Sequence, residues 1–305
     1  MFLKRLICCL ICLAFILTSC DKKTVTDKNN NSTDNVAATT KKGEKTYTGY
    51  PKLEIVNFEV KDKENVANIP TEKIAHSYGV AKNSEPHNIA VESQLFFEEK
   101  GYSAITYDNK SNGKVLYLTF DCGYENGYTS KVLDILKEKG VKAAFFCTLD
   151  DIKSEPELIA RMIKEGHIVG NHSATHPSFT EISREKMANE IEECENYLRQ
   201  NFGYSSRYFR FPKGEYSESA LELVGSFGYI SVFWSLSYAD WDTSAQKGAD
   251  YAFKKVTSRL HPGAIILLHS VSADNAGALG RIIDYALKEG YHFSAISELD
   301  LSYSK

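Results

Sequence analysis

The chain has 305 residues, a formal net charge of −4, 25% charged residues and 43% hydrophobic ones. That is enough for one large domain or two small ones, each with a full core. Nothing in the small acidic excess points to nucleic acid as a partner.

Lys4 and Arg5 precede an apolar run over 6–17, which is too short to span a bilayer comfortably and has the length of a signal-peptide core. The run ends in Leu17-Thr18-Ser19-Cys20, which resembles a bacterial lipobox. The resemblance implies that residues 1–20 are a lipoprotein signal peptide and that the exported chain is held to the membrane through a lipidated Cys20. An uncleaved signal anchor is the other reading. Residues 21–48 are Lys, Asn, Thr, Asp and Ser with almost nothing apolar, so they read as a disordered tether. Residues 49–110 form an N-terminal extension with Pro51, Pro70 and Pro86 and a helix near 90–100 closed by Gly101; it is expected to wrap onto the main domain, residues 111–305.

From Val115 the pattern becomes regular. The run over 115–120 is apolar without alternation, as in a parallel strand covered on both faces, and it ends at Asp121 and a glycine turn. A helix over 129–139 follows, with Val132, Leu133 and Leu136 on one face and Gly140 at its end. The second strand covers 141–148, and Ser154-Glu155-Pro156-Glu157 reads as a capping box opening the next helix. Further strands are expected at 167–171, 207–211, 229–236, 264–268 and 291–296. Ser183 and Ser217 cap two of the intervening helices, and two more lie near 248–260 and 275–289. Seven strands alternating with six helices predict an α/β fold, a distorted seven-stranded (β/α) barrel, with an open doubly wound sheet as the alternative.

Reactive residue types cluster at the strand ends. Asp121 ends the first strand, His172 and His176 follow the third, Arg210 lies in the fourth, Asp240 follows the fifth, and His269 ends the sixth. Histidines at i and i+4 can share a metal ion when the segment coils into a turn, and imidazole suits zinc and related ions. Taken singly, Asp121 reads equally well as a turn cap, and His269 as a satisfied core histidine. Their convergence on the helix-leading rim, where barrels of this kind carry active sites, turns the reading towards chemistry.

Thr119-Phe120-Asp121-Cys122-Gly123, His172-Ser173-Ala174-Thr175-His176, Arg210-Phe211-Pro212-Lys213-Gly214, Asp240-Trp241 and Leu267-Leu268-His269 come in the order of five motifs of the polysaccharide deacetylases. Residues 115–299 resemble that family, the family-four carbohydrate esterases. The longer run through Tyr124-Glu125-Asn126-Gly127 is similar to the branch that removes the N-acetyl group from muramic acid in spore-cortex peptidoglycan, leading to muramic δ-lactam. The resemblance implies a hydrolase acting on peptidoglycan glycan strands with a divalent metal ion, zinc first, cobalt or manganese otherwise. It assigns the metal to His172 and His176, the base to Asp121 and the acid to His269. Arg210 would hold Asp121 ionised, and Asp240 would hold His269 protonated. The backbone N–H of Lys213 would meet the oxyanion, and Lys213, Tyr124 and Trp241 would bind substrate.

The sequence departs from the family at two places. Cys122 stands where most members carry a second aspartate on the metal, so it is a candidate third ligand, with two histidines plus water as the simpler site. Ser237 replaces the first aspartate of the fourth motif. At the Lys213 position, deacetylases of N-acetylglucosamine tend to carry an aromatic residue, whereas a cation would meet the lactyl carboxylate of muramic acid. Deacetylation of N-acetylglucosamine polymers and glycan binding without catalysis are the competing functions. Beyond Cys20, the mature chain would keep Cys122, Cys147 and Cys194, an odd number with no disulfide framework. Cys194 reads as core, and Cys122 with Cys147 as neighbours on adjacent strands.

Overall fold

A computed structural model describes residues 55–301 except 78 and 112. The signal segment and lipobox and the tether over 21–48 lie outside the described residues. The extension contributes β1 (Ile74–Ala75), α1 (Asn88–Lys100) and β2 (Ala104–Ile105). The series then runs β3 (Val115–Cys122), α2 (Thr129–Lys139), β4 (Ala143–Cys147), α3 (Leu149–Ser154), α4 (Pro156–Lys164) and β5 (Ile168–Asn171). It continues with α5 (Arg184–Phe202), β6 (Tyr208–Phe209), β7 (Glu215–Tyr216), α6 (Glu218–Ser226) and β8 (Ile230–Val232). The last elements are α7 (Ala249–Thr257), β9 (Ala264–His269), α8 (Ala273–Lys288) and β10 (His292–Phe293). No helix among the described residues is long and apolar enough to cross a membrane.

The strands β9, β3, β4, β5, β6 and β8 pair in that order, all parallel, and Leu236, just past β8, bridges back to Ile266 on β9. The sheet is therefore a curled barrel, not an open doubly wound sheet. β10 pairs in parallel with the start of β3. All seven expected strands are present, and an eighth, β2, comes from the extension. It pairs with β8, and Tyr107, two residues on, bridges Ala264 at the start of β9, so the extension fills the wall between these strands. Phe97 on α1 is fully buried and stacks on Phe233 at 5.4 Å. Burying a phenylalanine completely removes enough apolar surface to contribute about 1.5–3 kcal/mol.

Side chains alternate along β3. Leu116, Leu118, Phe120 and Cys122 join the layer under α2 and α8, with Leu133, Leu136 and Ile283. Thr119 and Asp121 therefore face the barrel interior. The helices begin and end where local chemistry dictates. Ser183, Ser217 and Ser272 accept the backbone N–H of Lys186, Ala220 and Asn275, and α2 stops at Gly140, whose φ of 65° is open to glycine. The capping box at Ser154 does not form. Ser154 is the last residue of α3, an element not foreseen, and its hydroxyl bonds back to the Asp151 carbonyl, while α4 starts at Pro156 with Glu155 making no side-chain cap.

Candidate active site

Asp121, His172, Arg210 and His269 come from the ends of β3, β5, β6 and β9 and meet at one rim. Asp121 on β3 is the register partner of His269 on β9 and of Phe146 on β4. Arg210, fully buried, donates from Nη1 to Asp121 Oδ1 at 2.8 Å. Its Nε donates to the Val232 carbonyl at 2.8 Å, and Nη2 to Thr119 Oγ1 at 2.9 Å and the Phe233 carbonyl at 3.2 Å. The guanidinium also lies 4.2 Å from the centre of the Phe146 ring. That stacking needs Gly170 on β5, because a Cβ there would sit 2.5 Å from the Phe146 ring. Burial alone would favour a protonated Asp121, but the positive charges of Arg210 and of His269 outweigh it and lower its pKa.

His172 follows β5 and bonds through Nδ1 to the Arg210 carbonyl at 2.8 Å, which leaves the Nε2 lone pair 3.6 Å from Asp121 Oδ2. The His176 ring packs edge-on against it, centroids 4.8 Å apart. Burial lowers the pKa of both, that of His176 to about 4, so both rings are neutral with lone pairs available. The connecting segment is a tight turn in which Ser173 (φ 69°) and His176 (φ 58°) adopt left-handed backbone. Asn171 Oδ1 accepts the Ser173 N–H, and the buried Glu190 carboxylate accepts both the N–H and the hydroxyl of Thr175. Backbone strain of this kind costs about 1–3 kcal/mol per residue and persists where the surroundings over-determine it.

His269 ends β9. Burial works against its charge, yet Asp240, bonded to Nδ1 at 2.7 Å, outweighs burial and raises its pKa. Asp240 Oδ2 also accepts hydrogen bonds from the His269 backbone N–H at 2.8 Å and from Asn275 Nδ2. Trp241 lies edge-on to His269 at 5.8 Å.

Asp121, His172, His176 and His269 line a cleft of about 760 Å³ with Lys213, Tyr124 and Trp241 on its walls. Tyr124 is 52% and Trp241 48% exposed, large aromatic side chains of the kind that pack against sugar rings. Lys213 sits in a 3₁₀ turn over Pro212–Gly214 with φ 59°. At Gly214 (φ 67°) a Cβ would lie 2.8 Å from the His76 carbonyl oxygen, so the extension presses directly on this turn. Ala75, His76 and Ser77 line the same cleft. No motif announces them, since they arrive by chain wrapping alone. Glu190 and Asn275 were equally silent as site residues.

Cys122 does not join the histidines. It points to the layer under the helices, bonds Ser270 Oγ at 3.3 Å and is the register partner of Cys147. In this chain its apolar thiol follows the alternation of β3 and packs with Leu118 and Phe120, on the face opposite Asp121. The expectation that Cys122 shares an ion with His172 and His176 is therefore corrected. The histidine pair itself suits a divalent metal: neutral imidazoles, with His172 oriented by a hydrogen bond to the other ring nitrogen, are how proteins prepare such ligands.

The family model for polysaccharide deacetylases matches residues 108–232. The peptidoglycan-N-acetylmuramic acid deacetylase PdaA of Bacillus subtilis is 40% identical over 232 residues, 76% of this chain and 87% of that protein. The chain belongs to the polysaccharide deacetylase family. The solved structure of Bacillus subtilis PdaA, a family 4 carbohydrate esterase, superposes with a TM-score of 0.72 at 40% identity, covering 76% of this chain and 98% of that one. A peptidoglycan-N-acetylglucosamine deacetylase of Bacillus cereus is 30% identical over 200 residues, 64% of this chain and 72% of that protein.

Proposed function

We propose that this deacetylase removes the N-acetyl group of muramic acid in peptidoglycan by metal-dependent hydrolysis. The observation that carries it is a pair of opposed ion pairs on adjacent strands at one cleft: Arg210 bonded to Asp121 at 2.8 Å, which lowers the pKa of the carboxylate, and Asp240 bonded to His269 at 2.7 Å, which raises that of the imidazole. Asp121 takes the proton of the attacking water, and His269 delivers one from Nε2 to the departing amine. A divalent ion, zinc in our reading, held by His172 and His176, would polarise the acetyl carbonyl. The backbone N–H of Lys213 stabilises the oxyanion, a contribution typically worth about a hundredfold or more in rate. The cationic Lys213 side chain selects the lactyl carboxylate that distinguishes muramic acid from N-acetylglucosamine.

The 40% identity to an N-acetylmuramic acid deacetylase, against 30% to an N-acetylglucosamine deacetylase, supports the same choice. Spore-cortex peptidoglycan, in which the freed amine closes a δ-lactam, is the setting, and lipidated Cys20 anchors the exported enzyme. Acetate release from peptidoglycan stripped of stem peptides, compared with chitin oligomers, tests the substrate. Release from the first alone, with Lys213→Tyr raising KM at least tenfold, is expected. Equal release from both, or an indifferent Lys213→Tyr, overturns the assignment. Globomycin-sensitive processing with a blocked Cys20 tests the anchor, and a free amino terminus elsewhere sinks it.

A further inference from the structure

On the helix-facing side of the same strands lies a second cluster that the hydrolysis does not use. The thiols of Cys122 and Cys147 and the carboxylate of Asp151 are all buried, and their ligand atoms lie within 4.8 Å of one another. Cys122 and Cys147 are lateral partners at the ends of β3 and β4, and Asp151 reaches them from the first turn of α3. From this geometry we infer a second metal site, in which Cys122, Cys147 and Asp151 hold a thiophilic divalent ion of the zinc class.

Zn–S bonds of about 2.3 Å at a tetrahedral angle put two sulfurs about 3.8 Å apart. Closing the present envelope onto an ion therefore takes a shift of about 1 Å or less. The charge environment asks for a cation. Asp151 is 5% exposed, and the charges that act on it are the carboxylates of Glu125 and Glu155. A buried carboxylate without a compensating charge is costly, and a divalent ion supplies that charge. Binding would deprotonate both thiols and release the two protons to solvent, and two thiolates with one carboxylate would leave the filled site with a net charge of −1. Ser270 Oγ, already bonded to Cys122 Sγ at 3.3 Å, would donate to the thiolate as an outer partner. The ion would fasten β3 and β4 to α3 one residue from Asp121 without entering the cleft.

Cobalt loading of the full chain tests the site. Cobalt bound by thiolates gives an intense near-ultraviolet charge-transfer band, whereas cobalt on imidazoles does not. The band is expected in the native chain and in His172→Ala, lost in Cys147→Ala, and shifted in Asp151→Asn, with Cys147→Ala still releasing acetate as proof of folding. Metal analysis should give two ions per native chain and one for Cys147→Ala. Asp151→Asn keeps both sulfurs and so reads the site even if Cys147→Ala does not fold. No band in His172→Ala, a band that survives Cys147→Ala, or a purified chain two mass units light with Cys122 and Cys147 joined as a disulfide, would each overturn the inference.

Discussion

Replacing Asp240 by asparagine removes the charge that keeps His269 protonated while preserving its shape. Asp240 accepts N–H groups from His269 Nδ1 at 2.7 Å, from the His269 backbone at 2.8 Å and from Asn275 Nδ2. Asparagine has a single acceptor oxygen, so its NH₂ must face either the imidazole or the two other donors. Facing the imidazole, it requires Nδ1 to accept a hydrogen bond, which only the neutral ring can do. Facing the others, it leaves buried donors unpaired at about 1–3 kcal/mol. The lost charge-assisted bond is worth about 1.5–3 kcal/mol, or roughly ten- to a hundredfold in the fraction of imidazolium at a given pH.

The sign follows from the two roles. Activity rises as pH climbs through the lowered pKa of Asp121, which works ionised, and falls as pH climbs through the raised pKa of His269, which works protonated. Asp240→Asn should move the alkaline limb of kcat/KM to lower pH, leave the acid limb in place, and cost roughly ten- to a hundredfold at neutral pH, read as acetate release. The raised pKa also gives the native fold stability below the unfolded-state pKa of histidine, and this is lost as pH rises through the folded value. The stability deficit of the variant should therefore be larger at mildly acidic pH, which urea unfolding reads. A uniform rate loss with both limbs unmoved would refute His269 as the proton donor.

Three further outcomes are expected. His172→Ala and His176→Ala should abolish the activity that added zinc or cobalt restores to the chelator-treated enzyme, whereas Cys122→Ala should keep at least about a tenth of it; equal loss in all three would contradict the placement of Cys122. Arg210→Met leaves the Asp121 carboxylate buried without its partner and should lower unfolding stability by about 3–5 kcal/mol in urea, with no measurable acetate release. Phe97→Ala should cost about 3–5 kcal/mol in the same single unfolding transition as the barrel, because its ring packs on Phe233; a separate early transition would show that the extension folds apart.

The barrel was legible because parallel strands buried on both faces read as plain apolar runs, and serine caps and closing glycines punctuate the helices between them. Asp121, His172, Arg210 and His269 were legible for a related reason: each follows such a run, and strand ends on one rim converge. What could not be read was everything that depends on distant chain. His76 reaches the cleft, and β2 completes the wall, through pairing partners more than a hundred residues away. The Ser154 box failed because a short preceding helix, α3, claims that serine, and six residues are too few to show a period. Of the two metal sites open in the sequence, the two-histidine one is what the strand ends assemble, because Cys122 packs on the helix-facing side of β3 with Ser270.

The pairing of Asp121 with His269 has a consequence for how such enzymes diversify. Proton acceptor and proton donor are lateral neighbours across one backbone ladder, so their backbones are held at the interstrand spacing of about 4.8 Å. That spacing belongs to the scaffold, and of the rim loops only Asp240, which orients His269, bears on it. Those loops, with Tyr124, Lys213 and Trp241, are free to be lengthened or exchanged for ones that grip another glycan, while the reach of the two protons across the scissile amide stays the same.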